Sequence, residues 1–82
     1  MYGEITIGGV RMLPNDRVRK ARKNKGYSQV VLAEKASVTR QTIGLIEAGK
    51  YNPSLKLCLR ICYALDKTLD ELFWYDPGEF ER

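Results

Sequence analysis

Residues 28–49 decide the fold and read SQVVLAEKASVTRQTIGLIEAG. Two helical segments lie in this stretch, and each begins after a hydroxyl residue that can cap a helix, Ser28 for the first and Thr39 for the second. The first segment predicts a helix over residues 29–36 and the second a helix over residues 40–48, with only a tight turn between them. Two short helices joined in this way are typical of a helix-turn-helix arrangement.

The start of the second helix carries residues suited to reading DNA. In a helix-turn-helix arrangement the second helix enters the major groove, and its N-terminal residues face the base edges. Here those residues are Thr39, Arg40, Gln41 and Thr42. Arginine can bind guanine and glutamine can bind adenine through two hydrogen bonds each, and a threonine methyl group can contact thymine. The pattern therefore predicts that these four residues read double-stranded DNA.

The flanking sequence predicts three further helices. The first, capped by Asn15 or Asp16, is expected to end at about residue 25. A longer helix over residues 55–65 carries its apolar side chains at Leu55, Cys58, Leu59, Ile61, Cys62 and Leu65. A last short helix begins at residue 68 or 69 and runs through residue 73. Five short helices with short links predict a compact all-α domain.

The first thirteen residues, MYGEITIGGVRML, differ from the rest. Two β-prone runs flank Gly8-Gly9, and this pattern predicts a β-hairpin. A lone hairpin is only marginally stable in water, so an extended arm is the alternative. The organisation expected is an N-terminal arm or hairpin at residues 1–13, a helical domain at residues 14–75 and an acidic tail at residues 76–82.

Charge is distributed unevenly along the chain. Overall, 14 Lys and Arg residues face 10 Asp and Glu residues, for a net charge of +4. Residues 11–60 hold 12 basic residues and 3 acidic ones, whereas residues 61–82 carry a net charge of −4. A basic body with an acidic tail indicates a polyanionic partner that meets one face. The alternative is a solvated basic face that only keeps the protein soluble.

The composition argues against several classes of function. The chain has no His and only two Cys, so it lacks the commonest general base and cannot complete a typical metal site. No apolar run approaches the ~18 residues of a membrane span, and the first residues show neither the basic flank nor the long apolar core expected of a secretory signal. We therefore expect a cytoplasmic binding protein, not an enzyme, with no metal, no cofactor and no evident small-molecule effector.

Several motifs between Asn15 and Phe73 match a known pattern. They are Gly26-Tyr27-Ser28-Gln29, Leu32-Ala33-Glu34-Lys35, Val38-Thr39-Arg40-Gln41-Thr42-Ile43, Ile46-Glu47-Ala48-Gly49-Lys50, Asn52-Pro53-Ser54-Leu55 and Leu69-Asp70-Glu71-Leu72-Phe73. On these motifs the chain resembles the XRE family, the prokaryotic Cro and phage-repressor class of helix-turn-helix regulators. The resemblance implies a five-helix domain that binds operator DNA, usually as a two-fold dimer.

The resemblance also implies roles for residues beyond the first turn of the reading helix. Leu45, one turn later, would be a further groove-facing position. Arg22 and Glu47 match a pair that forms a partly buried salt bridge between the first and third helices of the family. The remaining matched positions would bind DNA phosphates: Gln29, Lys50, Tyr51 and Asn52.

Two residues depart from the family pattern. Ser37 stands in the turn where Gly is usual, and a positive φ there would strain its side chain. Gly44 lies inside the reading helix and costs about 1 kcal/mol relative to Ala. We expect Gly44 to make this helix flexible until it binds DNA.

The sequence also suggests how two copies associate. Leu72-Phe73-Trp74-Tyr75 is the densest apolar cluster, and Trp74 or Tyr75 would anchor a homodimer interface. The hairpin residues Ile5 and Ile7 are the other candidates.

The function expected is a sequence-specific regulator of transcription, a repressor that binds a two-fold operator as a homodimer. The alternative, from another class, is a protein-interaction module such as the antitoxin of a toxin–antitoxin pair.

Overall fold

The computed structural model describes residues 5–7, 10–12 and 15–74. Two short strands come first, and five helices follow them in a single helical domain. The elements in chain order are β1 (Ile5–Ile7), β2 (Val10–Met12), α1 (Asp16–Asn24), α2 (Gln29–Ala36), α3 (Arg40–Glu47), α4 (Leu55–Leu65) and α5 (Leu69–Leu72). The predicted all-α class with five short helices is confirmed for the body of the chain.

The strands β1 and β2 pair in an antiparallel register, with Ile5 opposite Met12 and Ile7 opposite Val10. Of this arm the structure describes the strand backbones. The predicted turn at Gly8-Gly9 lies outside the described residues, and so does the predicted acidic tail at residues 76–82.

Each helix begins at a side-chain cap, and the sequence predicts the caps of α1, α2 and α3. The backbone N–H of Thr42 donates to the Thr39 hydroxyl over 3.2 Å at the start of α3. At α1 the cap is Asn15 and not Asp16, since its amide oxygen accepts from the N–H of Val18 over 3.0 Å. The caps of the other three helices are Ser28, Ser54 and Thr68. These bonds satisfy backbone donors that the first turn of a helix otherwise leaves without a partner.

Three helices end one residue earlier than predicted. Lys25 follows α1 and Ala48 follows α3, and both have φ near −80° and ψ near 0°. These dihedrals fit a turn that leads into the positive-φ glycines Gly26 and Gly49, so neither residue continues the helix. The helix α3 is therefore Arg40–Glu47, with Ala48 as its C-terminal cap. Likewise α5 ends at Leu72.

The core lies between α2, α3 and α4, and α1 and α5 close it. Its fully buried side chains are Val18, Leu32, Ile43, Ile61, Leu65 and Leu72. The set of side chains that α4 buries differs at three positions from the apolar spacing read from the sequence. Leu57 is buried because it lies one turn before Ile61, whereas Leu55 and Leu59 are exposed.

The start of α1 joins three parts of the domain. The backbone N–H of Asn15 donates to the carbonyl of Glu47 over 3.1 Å, and its side-chain amide donates to the carbonyl of Leu72 over 2.8 Å. One turn later, Arg17 donates to the carbonyls of Asp70 and Trp74. These contacts hold the ends of α3 and α5 beside α1, so Arg17 is a structural residue and not part of a purely solvated face.

Candidate nucleic-acid interface

The first turn of α3 presents polar side chains to solvent. Thr39, Arg40 and Gln41 are exposed, and Thr42 is half-buried. Neither Arg40 nor Gln41 forms a hydrogen bond or ion pair with any residue that the structure describes. Their donors and acceptors are therefore available to a ligand that approaches the start of the helix.

Thr39 and Thr42 are more constrained than Arg40 and Gln41. Besides capping α3, the Thr39 hydroxyl lies 3.0 Å from the Thr42 hydroxyl, within hydrogen-bond distance. A hydroxyl has one hydrogen and two lone pairs, so the capping role uses part of the capacity of Thr39. The methyl groups of both residues remain for apolar contact.

The middle of α3 has fewer polar side chains than its first turn. Leu45 is half-buried, one turn after Gln41. At Gly44, an added Cβ would lie 3.9 Å from both side-chain amide atoms of Gln29. The missing side chain thus leaves the Gln29 amide beside the α3 backbone.

A buried ion pair fixes the end of α3. Arg22 Nε lies 2.7 Å from Glu47 Oε2, and the Arg22 Nη2 donates to Glu47 Oε1 over 3.1 Å. The two side chains are only 9% and 5% exposed. Arg22 also donates to the carbonyl of Tyr27 over 3.0 Å, in the loop before α2. This bidentate geometry joins α1, α3 and that loop.

Gln29 extends this network towards the surface. Its side-chain Nε2 donates to Glu47 Oε1 over 3.1 Å. An amide nitrogen carries two hydrogens, so the second remains for another acceptor. The backbone N–H of Gln29 is the first of α2, where helical N–H groups have no acceptor inside the helix. Gln29 can therefore offer two donors to an anion while Glu47 holds its side chain.

The loop after α3 supplies further polar groups. Lys50, Tyr51 and Asn52 are all exposed. The backbone N–H of Lys50 donates to the carbonyl of Leu45 over 2.8 Å, and this bond holds the loop against the end of α3. The ammonium group of Lys50 thus extends from a fixed backbone.

The turn between α2 and α3 contains the strain that the sequence predicts. Ser37 has φ 61° and ψ 44°, a left-handed conformation that costs a non-glycine residue energy. Its backbone N–H donates to the carbonyl of Glu34, and that of Val38 donates to the carbonyl of Ala33. These two bonds end α2 and set the direction in which α3 begins.

The thiols lie away from this surface. Cys58 and Cys62 are both buried on α4, and burial raises the pKa of each thiol. Among the described residues no group of three or more His, Cys, Asp or Glu side chains could hold a metal ion. No helix in the described part of the chain is long and apolar enough to cross a membrane.

The predicted dimer residues are described only in part. The side chain of Trp74 is 67% exposed, and its carbonyl accepts from Arg17. Tyr75 lies outside the described residues, and for Ile5 and Ile7 the structure describes the backbone. The sequence predicts Asn15 as a cap candidate, but it did not reveal the bond from Asn15 to the Leu72 carbonyl, the structural role of Arg17 or the exposed apolar side chains of α4. A period-four spacing of Leu55, Leu59 and Tyr63 was the available signal for the last of these.

Comparison with known proteins identifies the family. The sequence profile of the helix-turn-helix family HTH_3 matches residues 18–72. The chain is 44% identical over 61 residues to the HTH-type transcriptional regulator YgzD of Bacillus subtilis (strain 168), covering 74% of this chain and 92% of that protein.

Two solved structures are similar to the chain. The restriction-modification controller protein C.AhdI from Aeromonas hydrophila has a TM-score of 0.68 and 40% identity, over 71% of this chain and 88% of that one. The N-terminal DNA-binding domain of SinR from Bacillus subtilis has a TM-score of 0.68 and 34% identity, over 74% and 90%. The chain belongs to the XRE-type helix-turn-helix family and is a DNA-binding transcriptional regulator, not an enzyme.

Proposed function

We propose that the protein is a sequence-specific repressor that binds a two-fold operator as a homodimer, with α3 in the major groove. One observation carries the proposal: Arg40 and Gln41 are exposed at the start of α3, and neither side chain is engaged within the described part of the chain. Side chains that hold a fold are bonded to it, whereas side chains that read bases must be available before DNA arrives.

Base reading is assigned to the face that starts at Thr39. In this proposal Arg40 and Gln41 supply the hydrogen bonds, and Thr42 and Leu45 supply apolar contact with the groove. Thr39 contributes its methyl group and caps the helix. The DNA-binding unit comprises residues 14–75, and it acts in the cytoplasm of a prokaryotic cell.

Phosphate contacts are assigned to four residues around the reading face. Gln29 donates through its backbone N–H and its second amide hydrogen, and Lys50, Tyr51 and Asn52 donate from the loop after α3. The Glu47 carboxylate is not a source of repulsion, since Arg22 neutralises it inside the domain. The phosphate contacts supply most of the affinity and the base contacts supply the discrimination.

In this proposal the DNA-bound dimer represses by occupying its site, and no additional protein surface is required. A homodimer on a two-fold site covers about 20 base pairs, because half-sites lie about 10 base pairs apart. When such a site overlaps a promoter, the bound dimer blocks access by polymerase. In vitro transcription from a promoter with and without the selected site measures this effect. An increase in transcript on adding the protein would contradict the repressor assignment.

The operator is found by selection from a pool of random DNA duplexes at near-physiological salt. We expect enrichment of a two-fold symmetric sequence. Lys50→Ala should weaken binding to all duplexes alike and reduce the slope of log affinity against log salt by about one unit, because it removes one phosphate contact. If the duplexes recovered after several rounds share no common sequence, the result would contradict the base-reading role of α3.

A further inference from the structure

A cavity opens between α1 and α5, in a part of the domain that the proposed function does not use. Its volume is about 290 Å³, close to the lower end of the range for ligand sites, so it suits a compact ligand. The described residues that line it are Arg17, Lys20, Ala21, Asn24, Lys67, Glu71 and Leu72. Ala21 and Leu72 are buried and give the cavity an apolar base, whereas the other five side chains are polar or charged.

The cavity lies on the far side of α1 from the ion pair that fixes α3. Its lining residues on α1 are spaced by three or four, so they share one face of the helix. Lys20 precedes Arg22 by two residues, which separates the two side chains by about 200° around the helix axis. Because Arg22 binds Glu47 at the end of α3, the cavity faces away from that end of α3. The cavity is therefore separate from the surface assigned to DNA.

Hydrogen bonds hold the two walls of the cavity together. The Arg17 guanidinium donates to the carbonyl of Trp74 over 2.7 Å and to the carbonyl of Asp70 over 3.5 Å. Asn15 adds a bond from its side-chain amide to the Leu72 carbonyl over 2.8 Å. These bonds join α1 to α5 and to the residues after it. The cavity is formed before a ligand arrives, which lowers the entropic cost of binding.

Cationic side chains outnumber carboxylates around the cavity. Arg17, Lys20 and Lys67 bring three positive charges, and Glu71 brings one negative charge, for a net charge of +2 among the described lining residues. Neither lysine forms a hydrogen bond or a salt bridge with a residue that the structure describes. Their ammonium groups can therefore turn to a ligand, and the charge balance favours a dianion.

The Glu71 carboxylate is engaged in the cap of α5. Its Oε1 accepts from the backbone N–H of Thr68 over 2.9 Å and from the Thr68 hydroxyl over 3.1 Å. These bonds hold the pKa of Glu71 below its ordinary 4.5, so the carboxylate is ionised at neutral pH. Glu71 thus offsets one of the three cations, and two remain uncompensated.

We propose that this cavity binds a compact phosphate monoester, with Lys20 and Lys67 donating to the phosphate oxygens from opposite walls. A phosphate monoester carries a charge of about −1.5 to −2 at pH 7, which matches the charge of the cavity. Arg17, held by its carbonyl bonds, contributes its positive charge, and the Asn24 amide can donate a further hydrogen bond. The apolar part of the ester contacts the base of the cavity. This inference does not depend on the proposed function.

Amide chemical shifts of the ¹⁵N-labelled full chain, titrated with phenyl phosphate near neutral pH, locate the site. We expect saturable shifts concentrated at residues 17–24 and 67–72. Shifts centred on Gln29 and Lys50 would place the phosphate on the DNA-binding surface and overturn the proposal. Shifts that increase without saturation would overturn it as well, because they would show non-specific attraction to a basic protein.

Phenyl sulfate tests the preference for a dianion. It has nearly the same shape as phenyl phosphate but carries a single negative charge. We expect it to bind about 10-fold more weakly, since one charge fewer meets the two lysines. Equal affinities for the two esters would contradict the assignment to a phosphate monoester.

Two charge-matched variants test the lining residues. The cavity variant is Lys20→Gln with Lys67→Gln, and the control is Lys23→Gln with Lys56→Gln, which removes the same charge outside the cavity. All four lysines are exposed, so both variants should fold, and far-UV circular dichroism with thermal unfolding verifies this. We expect the cavity variant to bind phenyl phosphate about 10-fold more weakly and the control to match the wild type. Equal affinities of the two variants would overturn the proposal.

Glu71→Gln should strengthen binding. Glutamine can also serve the cap at Thr68, so the substitution removes the negative charge and keeps α5. We expect phenyl phosphate to bind about three-fold more tightly, a modest gain because Glu71 is exposed. Unchanged or weaker binding would contradict the charge balance assigned to the cavity.

Binding to the selected operator separates a small phosphate ester from the phosphates of DNA. The cavity variant and the control lose the same charge, so they should bind the operator with equal affinity. A selective loss of operator affinity in the cavity variant would make Lys20 and Lys67 contacts to the DNA backbone and overturn the proposal. If the wild type binds no DNA, the proposed function fails, while the titration with phenyl phosphate still decides whether the cavity is a site.

Discussion

The C-terminal end of α3 is bonded to the rest of the domain, whereas the N-terminal end holds side chains with no partner in the described part of the chain. At the C-terminal end, Glu47 binds Arg22 and Gln29 through its carboxylate and Asn15 through its carbonyl. At the N-terminal end, Arg40 and Gln41 are exposed. One eight-residue helix thus separates the residues that fix its position from those assigned to base reading.

This separation predicts that substitutions at the two ends affect different properties. A change at the C-terminal end should mainly lower the free energy of unfolding, and it should affect DNA binding through the loss of folded protein and through the release of the Gln29 side chain from Glu47. A change at the N-terminal end should leave unfolding unaffected and lower the affinity for specific DNA. The following predictions test this contrast, from the largest expected effect to the smallest.

Removing Glu47 should have the largest effect. Glu47→Ala leaves the buried guanidinium of Arg22 without its partner and the Gln29 amide without its acceptor. We expect the free energy of unfolding to fall by about 3–5 kcal/mol, as measured by urea denaturation. Glu34→Ala, on the exposed face of α2, is the control and should change it by less than about 0.5 kcal/mol. Similar small losses for both variants would show that the ion pair does not fix α3.

Removing Gln41 should act on DNA recognition alone. We expect Gln41→Ala to lose about 1–3 kcal/mol of binding free energy on the selected operator and nothing on random DNA. Titration of both duplexes at one salt concentration measures the difference. Urea denaturation of the variant should match the wild type, since Gln41 bonds to no described residue. Equal loss on both duplexes would assign Gln41 to phosphate contact.

Replacing Gly44 should stiffen the segment between the two ends. Gly44→Ala adds a Cβ at ordinary van der Waals distance from Gln29, so no clash opposes the gain in helix propensity. We expect the free energy of unfolding to rise by about 1 kcal/mol. Amide hydrogen exchange should slow across residues 42–46 of the DNA-free protein. Unchanged exchange would show that Gly44 does not loosen the reading helix.

Removing the backbone strain at Ser37, in the turn before α3, should also raise the free energy of unfolding by about 1 kcal/mol. Ser37 has a positive φ, and Ser37→Gly removes the contact between its Cβ and the backbone. Thermal unfolding measures the gain. Ser28→Gly is the contrasting change, because Ser28 caps α2 from an extended conformation and gains nothing from a residue without a side chain. A lower stability of Ser37→Gly would mean that the serine is favoured there for another reason.

The ion pair between Lys25 and Asp66 should give the smallest effect, a small stabilisation that is present near neutral pH and is lost at the pH extremes. The Lys25 ammonium lowers the pKa of Asp66 below its ordinary 3.8, and Asp66 raises the pKa of Lys25 above its ordinary 10.5. The stabilisation from Asp66 is therefore present above pH 3.8 and is lost as the pH falls through the lower folded-state pKa. The part from Lys25 is present below pH 10.5 and is lost as the pH rises through the higher folded-state pKa.

Asp66→Asn isolates this effect. Asn tolerates the left-handed backbone that Asp66 adopts, so the substitution removes the charge and keeps the conformation. Stability curves of the two proteins should converge in acid and differ slightly near neutral pH. A constant difference down to pH 2 would show that the charge of Asp66 does not contribute.

Much of the helical domain could be predicted from the residues. Caps at Ser28, Thr39 and Ser54 determine where helices begin, because the bond from a side-chain oxygen to a backbone N–H is local. Positive-φ glycines at positions 26 and 49 determine where α1 and α3 stop. The exposure of Arg40 and Gln41 could be predicted as well, because both residues lie on the first turn after the Thr39 cap.

The burial of α4 could not be predicted in the same way. Its apolar residues occupy more than half of the helix surface, so their spacing fits several rotations about the helix axis. The contacts with α2 and α5 select the rotation that buries Leu57 and leaves Leu55 and Leu59 exposed. The bonds from the side chains of Asn15 and Arg17 to the carbonyls of Leu72 and Trp74 span more than fifty residues and have no local signal.

The sequence by itself determined the five helices, their caps and the chemistry of the first turn of α3, because these depend on neighbours within about four residues. Tertiary structure decided how deeply the Arg22–Glu47 pair is buried, which face of α4 stays in water and how the ends of α1, α3 and α5 meet. Those features arise from packing between distant segments, and only the folded chain brings such segments into contact.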